Sequence, residues 1–176
     1  MKRIILLVLA FTFMCSSAYA YSLDDIKNDY PELEIKTLNN DNGTITRSIK
    51  LFSLTSGRNL FNKEDLSFQI SEYPNGTKCV MIEVLYHGYN RFYLKNLALN
   101  GGIWEYFPKP GFKRYAPVKN TSLESMAIFL DDKQDIHDWK NAKSIQIHGY
   151  YDYIDIPTDT PTYKEYMNVI ERFLFE

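Results

Sequence analysis

Leu66-Ser67-Phe68-Gln69-Ile70-Ser71-Glu72-Tyr73-Pro74-Asn75-Gly76-Thr77-Lys78-Cys79-Val80-Met81-Ile82-Glu83-Val84-Leu85-Tyr86 spells out a β-hairpin. In the first arm Leu66, Phe68 and Ile70 alternate with Ser67, Gln69 and Ser71. That period of two turns one face of a strand inward and the other to solvent. Pro74-Asn75-Gly76-Thr77 then reverses the chain, because Asn-Gly supplies the backbone angles a tight hairpin needs. The second arm is apolar on both faces, with Val80, Ile82 and Val84 on one and Cys79, Met81 and Leu85 on the other. This predicts a central strand covered on both sides.

Strand signals continue on either side of the hairpin. Upstream, Leu33 to Leu38 and Thr44 to Leu54 read as strands joined at Asn39-Asn40-Asp41-Asn42-Gly43, a dense turn signal. Ser56-Gly57-Arg58-Asn59 reads as a loop. Downstream, His87-Gly88-Tyr89-Asn90 reads as a tight connection and Arg91 to Leu99 as a strand. Asn100-Gly101-Gly102 turns into Ile103 to Phe107, and a stretch punctuated by proline and glycine follows from Pro108 to Pro117. Ser125 to Leu130 is a short apolar run of either type. Ser144 to Ile156 reads as one long strand with a bulge at Gly149, where the alternation changes phase.

Helices bracket the strands. Ser22, with Asp25 three residues on, has the pattern of a capping box, and Pro31 bounds the helix near Tyr30. Asp135 to Ala142 reads as a short helix. Thr160 caps the last helix and Pro161 occupies its first turn. Tyr163, Tyr166, Met167, Ile170 and Phe173 form a stripe at helical spacing, which faces a core. The predicted class is α+β: a mostly antiparallel meander sheet with a short N-terminal helix and a C-terminal amphipathic helix on one face. A β-sandwich or an open barrel with a terminal helix is the alternative.

The N-terminal segment reads as a secretory signal peptide, residues 1–20. Lys2 and Arg3 precede the apolar run Ile4 to Met14, and Ala18-Tyr19-Ala20 has the small-residue pattern of a cleavage site. A run of about 11 residues is too short to span a bilayer, which takes roughly 20. A retained membrane anchor and lipid attachment at Cys15 are the rivals, though Thr12 and Met14 stand where lipid-attachment signals usually carry leucine and a small residue. The expectation is therefore an extracytoplasmic protein, periplasmic or secreted, with residues 21–176 forming a single globular domain. Cys79 is the only cysteine outside the leader, so no disulfide forms within that domain. Its strand setting predicts a buried, inert thiol.

Composition narrows the chemistry. The formal charge is −2, and losing Lys2 and Arg3 makes the domain more acidic still. That argues against a general nucleic-acid or anionic-membrane binder. HExxH, GxSxG, the phosphate-binding loop, the dinucleotide-binding glycine pattern and CxxC are all missing from the sequence, so no cofactor and no metal is expected. His87, His137 and His148 have no metal-ligand spacing. If His87 and His148 met at one sheet end beside Asp152, with Asp155 nearby, a small secreted hydrolase with a His–Asp site would be the reading. Asp131, Asp132, Asp135 and Asp138 form an acidic patch, but Ile136 stands where a calcium loop needs glycine. Asn42-Gly43-Thr44, Asn75-Gly76-Thr77 and Asn120-Thr121-Ser122 match the glycosylation sequon and also mark turns.

The segment Trp104 to Lys119 is the most suggestive. It carries Trp104, Tyr106, Phe107, Phe112 and Tyr115 among Lys109, Lys113, Arg114 and Lys119, with Glu105 as its one acid. Aromatic rings stack on the apolar faces of sugars, and Trp, Tyr and Arg are the usual anchors of protein interfaces. Trp104, Tyr106, Phe112, Lys113, Arg114 and Tyr115 are therefore the expected ligand-binding residues, with a polysaccharide or protein as partner. The reading is a non-enzymatic binding domain. An inhibitor or surface-assembly protein working through an edge strand is the first alternative, and the hydrolase the second.

Overall fold

The computed structural model describes residues 20–59, 62–118 and 121–176. The expected leader up to Tyr19, with Cys15, and also Lys119 and Asn120 lie outside the described residues. The elements run α1 (Leu23–Asp29), β1 (Ile35–Asn39), β2 (Ile45–Asn59), β3 (Asn62–Glu72), β4 (Lys78–Gly88), β5 (Asn96–Leu99), β6 (Trp104–Tyr106), β7 (Lys113–Val118), β8 (Thr121–Leu130), α2 (Lys133–Lys140), β9 (Ser144–His148), β10 (Tyr153–Pro157) and α3 (Pro161–Phe175). The chain is α+β, mostly antiparallel strand, with three helices among the described residues and a larger sheet that curls into a half-barrel. No described helix is long and apolar enough to cross a membrane.

The strands form two sheets rather than one meander, ordered β1-β2-β3-β4-β8-β7 and β10-β9-β5-β6. β1 to β4 do meander. Both of their predicted hairpin turns are present and built alike. Asn40 N–H donates to Thr44 O at 2.8 Å and Tyr73 N–H to Thr77 O at 2.9 Å. Gly43 and Gly76 sit at φ 78° and 79°, the left-handed region that asparagine-glycine turns require. β2 runs on to Asn59, so the loop expected at Ser56–Asn59 is strand. Lys113–Val118 is likewise strand, within the stretch expected to be irregular, and the undecided run around Ser125 belongs to β8.

The helices lie on the inner face of the larger sheet. A register shift between Lys50 and Phe52 lets both Ile49 and Phe52 stand opposite inward residues of β3, Ile70 and Phe68. Phe52 stacks on Phe68 at 4.3 Å and on Tyr166 of α3 at 5.2 Å, while Phe68 meets Trp139 and Tyr163 edge-on. Each such pair contributes about 0.5–1.5 kcal/mol beyond its buried area. The Tyr163 hydroxyl donates to the Trp139 carbonyl at 2.6 Å, locking α3 to α2. The predicted stripe of α3 is the buried one: Tyr163, Met167, Ile170 and Phe173, with Tyr166 half-buried. Both caps are also as read. Ser22 and Asp25 form the capping box, whose hydrogen bonds hold the Asp25 carboxyl below the usual range, and Thr160 Oγ1 accepts from Tyr163 N–H. One correction concerns β4. The Val80, Ile82 and Val84 face is buried, but Glu83 and Leu85 on the other face are exposed, so the strand is central yet covered on one side.

Two further corrections share one cause, a hydrogen bond or contact made far along the chain. The segment expected as strand from Arg91 is strand only from Asn96. Its amides at Phe92, Tyr93 and Leu94 donate to the Glu124 carboxylate, at 2.7, 3.1 and 2.9 Å, and not to a neighbouring strand. Residues 144–156 are not one bulged strand but a hairpin, with His148 opposite Tyr153. Gly149 is required there by proximity: a Cβ at this position would lie 2.4 Å from the Phe92 carbonyl oxygen. Gly149→Ala is expected to destabilise the protein by about 1–3 kcal/mol, since backbone must move to admit a methyl group. Urea unfolding checks this, and an unchanged midpoint would show that residues 89–95 are free to shift.

Candidate functional site

Glu124 is the centre of the most organised surface of the molecule. It lies on β8, is 4% exposed, and stands opposite Tyr86 of β4 and Tyr115 of β7. Its two oxygens hold three consecutive amides, which folds residues 89–95 over the end of the larger sheet. Tyr86 fastens the same segment, stacking on Phe92 at 5.2 Å and donating its hydroxyl to the Asn90 carbonyl at 3.0 Å. Held this way, Tyr93 adopts φ 59°, a region that a tyrosine enters only under constraint.

The clamped segment delivers Arg91 between two rings. Its guanidinium lies 3.8 Å from the centroid of Tyr115 and 4.3 Å from that of Tyr93. Tyr93 meets Tyr151 edge-on at 6.3 Å, and Tyr151 meets Tyr150 at 4.7 Å. The result is a continuous ladder, Tyr115–Arg91–Tyr93–Tyr151–Tyr150. It bridges the edge strand β7 of one sheet and the β9–β10 turn of the other. The bridge is also a backbone one, since Tyr150 N–H donates to the Phe92 carbonyl at 3.3 Å. Tyr151 is 85% exposed and Tyr150 71%, so their rings are offered to solvent, while one face each of Tyr93 and Tyr115 is taken by Arg91.

A cleft of about 210 Å³ opens beside the ladder, lined by Arg91, Tyr93, Lys113, Arg114, Tyr115 and Glu124 among others. Burial pulls the Lys113 ammonium below its ordinary value, and the charge of Lys95 adds to that, against the attraction of Glu124. Two larger hollows are weaker candidates. One, about 470 Å³, lies between the two hairpin turns, where Asn40 and Asn42 already bond threonines of their own turn. The other, about 450 Å³, lies between Tyr21 and the ends of α1 and α3, where Tyr21 is bonded to Asp29 and Arg172 to Glu176.

The six residues expected to bind ligand do not form one site. Lys113, Arg114 and Tyr115 line the cleft. Trp104 is exposed, but it pairs opposite Leu99, at the end of β5 away from Asn96 and the β9–β10 turn. Phe112 packs edge-on against Phe129, outside the cleft lining. Tyr106 turns inward against Trp139 at 5.3 Å, and burial together with the Asp135 carboxylate raises the pKa of its hydroxyl. Arg91, Tyr93, Glu124, Tyr150 and Tyr151 were not expected from sequence. The signal that existed was the run Tyr150-Tyr151-Asp152-Tyr153 directly after Gly149.

The His–Asp arrangement does not assemble. His87 lies on β4 rather than in a loop, and its Nε2 pairs with Thr121 Oγ1 at 3.1 Å. His148 lies in the other sheet and pairs with Gln146 at 3.0 Å. Asp152 is in the β9–β10 turn, not in a strand, and accepts from Tyr153 N–H. His137 pairs with Asn141 at the end of α2. The acidic patch serves α2: Asp132 caps it and Asp138 accepts from Gln134. Among the described residues no group of three or more His, Cys, Asp or Glu is placed to hold a metal ion. Cys79 is half-buried, and burial pushes its thiol up, away from nucleophilic reactivity. The edge strand β7 carries Lys113, Arg114 and Pro117, residues that protect an edge from pairing.

Two outcomes follow. Glu124→Ala leaves three amides without their acceptor, that of Leu94 buried, and is expected to cost about 1–3 kcal/mol. Amide exchange at residues 92–94 should then accelerate more than exchange at β3, and equal acceleration would make the clamp merely part of global stability. Burial and the neighbouring Asp132, Asp138 and Asp131 raise the Asp135 carboxyl above its ordinary 3.8. Its contribution to stability is therefore greatest below that value and is lost as the pH rises through the raised one. Asp135→Asn cannot ionise, so it should gain stability relative to the parent from acid to neutral pH, as thermal melts at several pH values will read.

Comparison with protein-family models, with curated proteins and with solved structures found no match for this chain.

Proposed function

We propose that this protein is an extracytoplasmic, non-enzymatic binding domain whose ligand is a carbohydrate polymer lying along the Tyr115–Arg91–Tyr93–Tyr151–Tyr150 ladder. The observation that carries this reading is the ladder itself, with Tyr151 85% and Tyr150 71% exposed at its end. Two neighbouring tyrosines left this far in water gain little for the fold, whereas pyranose C–H faces gain from packing on them. The ladder is anchored from below by backbone hydrogen bonds, so its rings are held ready and little order must be imposed on binding. An open row of rings beside a small cleft suits a chain that extends past the site more than a small molecule enclosed by it.

The signal-peptide pattern read in residues 1–20 supports export, and a surface rich in tyrosine hydroxyls suits a hydrated polymer outside the cell. A protein partner is the second reading, favoured by the Arg91 sandwich, since arginine and tyrosine dominate interface energetics. The edge-strand and hydrolase alternatives have less support, given the protected edge of β7 and the separate bonding of His87 and His148.

Tyr150→Ala combined with Tyr151→Ala tests the reading. Both side chains are largely outside the core, so the melting temperature should stay within a few degrees. Retention on a panel of immobilised polysaccharides should fall about tenfold or more, which corresponds to losing about 1.4 kcal/mol of contact with the two rings. Unchanged retention would remove the ladder from ligand binding.

A further inference from the structure

The chain as a whole is acidic, yet the cleft beside the ladder is lined on one side by cations. Arg91, Lys113 and Arg114 face it, and Lys95 is close enough to disfavour the charge on Lys113. Among the described residues none of these four makes an ion pair within 4.0 Å; the pairs present lie elsewhere, on Arg47, Lys50, Lys140, Lys164 and Arg172. Glu124, the carboxylate in the cleft, has its oxygens committed to the amides of Phe92, Tyr93 and Leu94. Exposed cations gathered at one cleft, with the nearby acid engaged by backbone, form a site that gains free energy when an outside anion enters.

The geometry narrows the anion. Arg91 lies between Tyr93 and Tyr115, with its guanidinium 4.3 and 3.8 Å from the two ring centroids, so the rings restrict where it can point before anything binds. A planar fork of this kind matches two oxygens of one carboxylate or sulfate. At about 210 Å³ the cleft is smaller than the roughly 300–1,000 Å³ that encloses a whole small ligand. It takes one substituted ring, and the remainder of the ligand must lie outside, where Tyr151 and Tyr150 present free faces. An acidic peptide would supply carboxylates too, but it has no repeating saturated ring for those faces to cover.

We propose that Arg91, Lys113 and Arg114 bind the carboxylate or sulfate group of an acidic sugar residue, with neighbouring residues of the same glycan stacked on Tyr151 and Tyr150. This rests on the reading of the ladder as a polymer-binding surface. It assigns a substrate class, the polyanionic glycan, and a division of labour: cations choose the charged residue and rings hold the chain. Because the protein carries net negative charge, long-range attraction does not assist; selectivity arises within the cleft and is weakened by salt.

The test uses the protein purified from cells expressing the full chain. Binding to immobilised polygalacturonate and dextran sulfate is measured beside their uncharged counterparts, methyl-esterified pectin and dextran, with poly-glutamate as an acidic peptide. The expected result is binding to at least one acidic glycan about ten- to a hundredfold tighter than to its uncharged counterpart. That preference should disappear in Lys113→Gln combined with Arg114→Gln, with the melting temperature retained, because both side chains are exposed. Equal binding to charged and uncharged polymers, unchanged in the double variant, overturns the anionic subsite and leaves the ladder reading in place. Binding to poly-glutamate without binding to either acidic glycan overturns the proposal in favour of a protein partner. Binding to none of the polymers overturns both readings.

Discussion

A single buried carboxylate decides where two sheets meet. Glu124 accepts three successive amides, and a backbone whose donors are used this way has none left for a strand ladder. The chain after β4 therefore cannot continue as a fifth antiparallel neighbour. It crosses to the second sheet, which leaves the β4 edge for β8 to occupy. The carboxylate is affordable in the interior because charge-assisted bonds to three N–H groups replace its hydration.

From that junction the rest of the architecture can be followed. Residues 89–95 touch the β9–β10 turn through Phe92, whose carbonyl accepts from Tyr150 N–H and leaves no room for a side chain at Gly149. The aromatic core lies on the same inner face of the larger sheet, where Phe52, Phe68, Trp139, Tyr163 and Tyr166 interlock strands with helices. Core and surface ladder thus differ in what holds them. The former depends on ring against ring, whereas the latter is set by main-chain hydrogen bonds with rings attached on the outside.

What sequence could reveal followed from how local each signal is. The Asn75-Gly76 hairpin, the Ser22–Asp25 capping box, the Thr160 cap and the α3 stripe are each complete within a few residues, so their patterns carried them. Arg91 to Lys95 reads as strand because it follows a tight connection and leads into Leu97 to Leu99; the partner that overrules it sits about thirty positions away, at Glu124. Gly149 marked a change of phase, but only the approach of Phe92 shows that the change is a reversal. The aromatic-basic segment reads as one site because its residues are adjacent in the chain. In space the chain passes from one sheet to the other between Tyr106 and Lys113, which divides them. The rings that do assemble come from three separated segments, and no local pattern joins them.

Tyr93 carries a consequence of its own. Its left-handed backbone costs about 1 kcal/mol relative to a glycine in the same place, and Glu124 supplies the compensation. A drift toward glycine or asparagine at this position would make the protein more stable while removing the ring that joins Arg91 to Tyr151. Backbone ease and the ring that joins Arg91 to Tyr151 therefore make opposite demands on position 93.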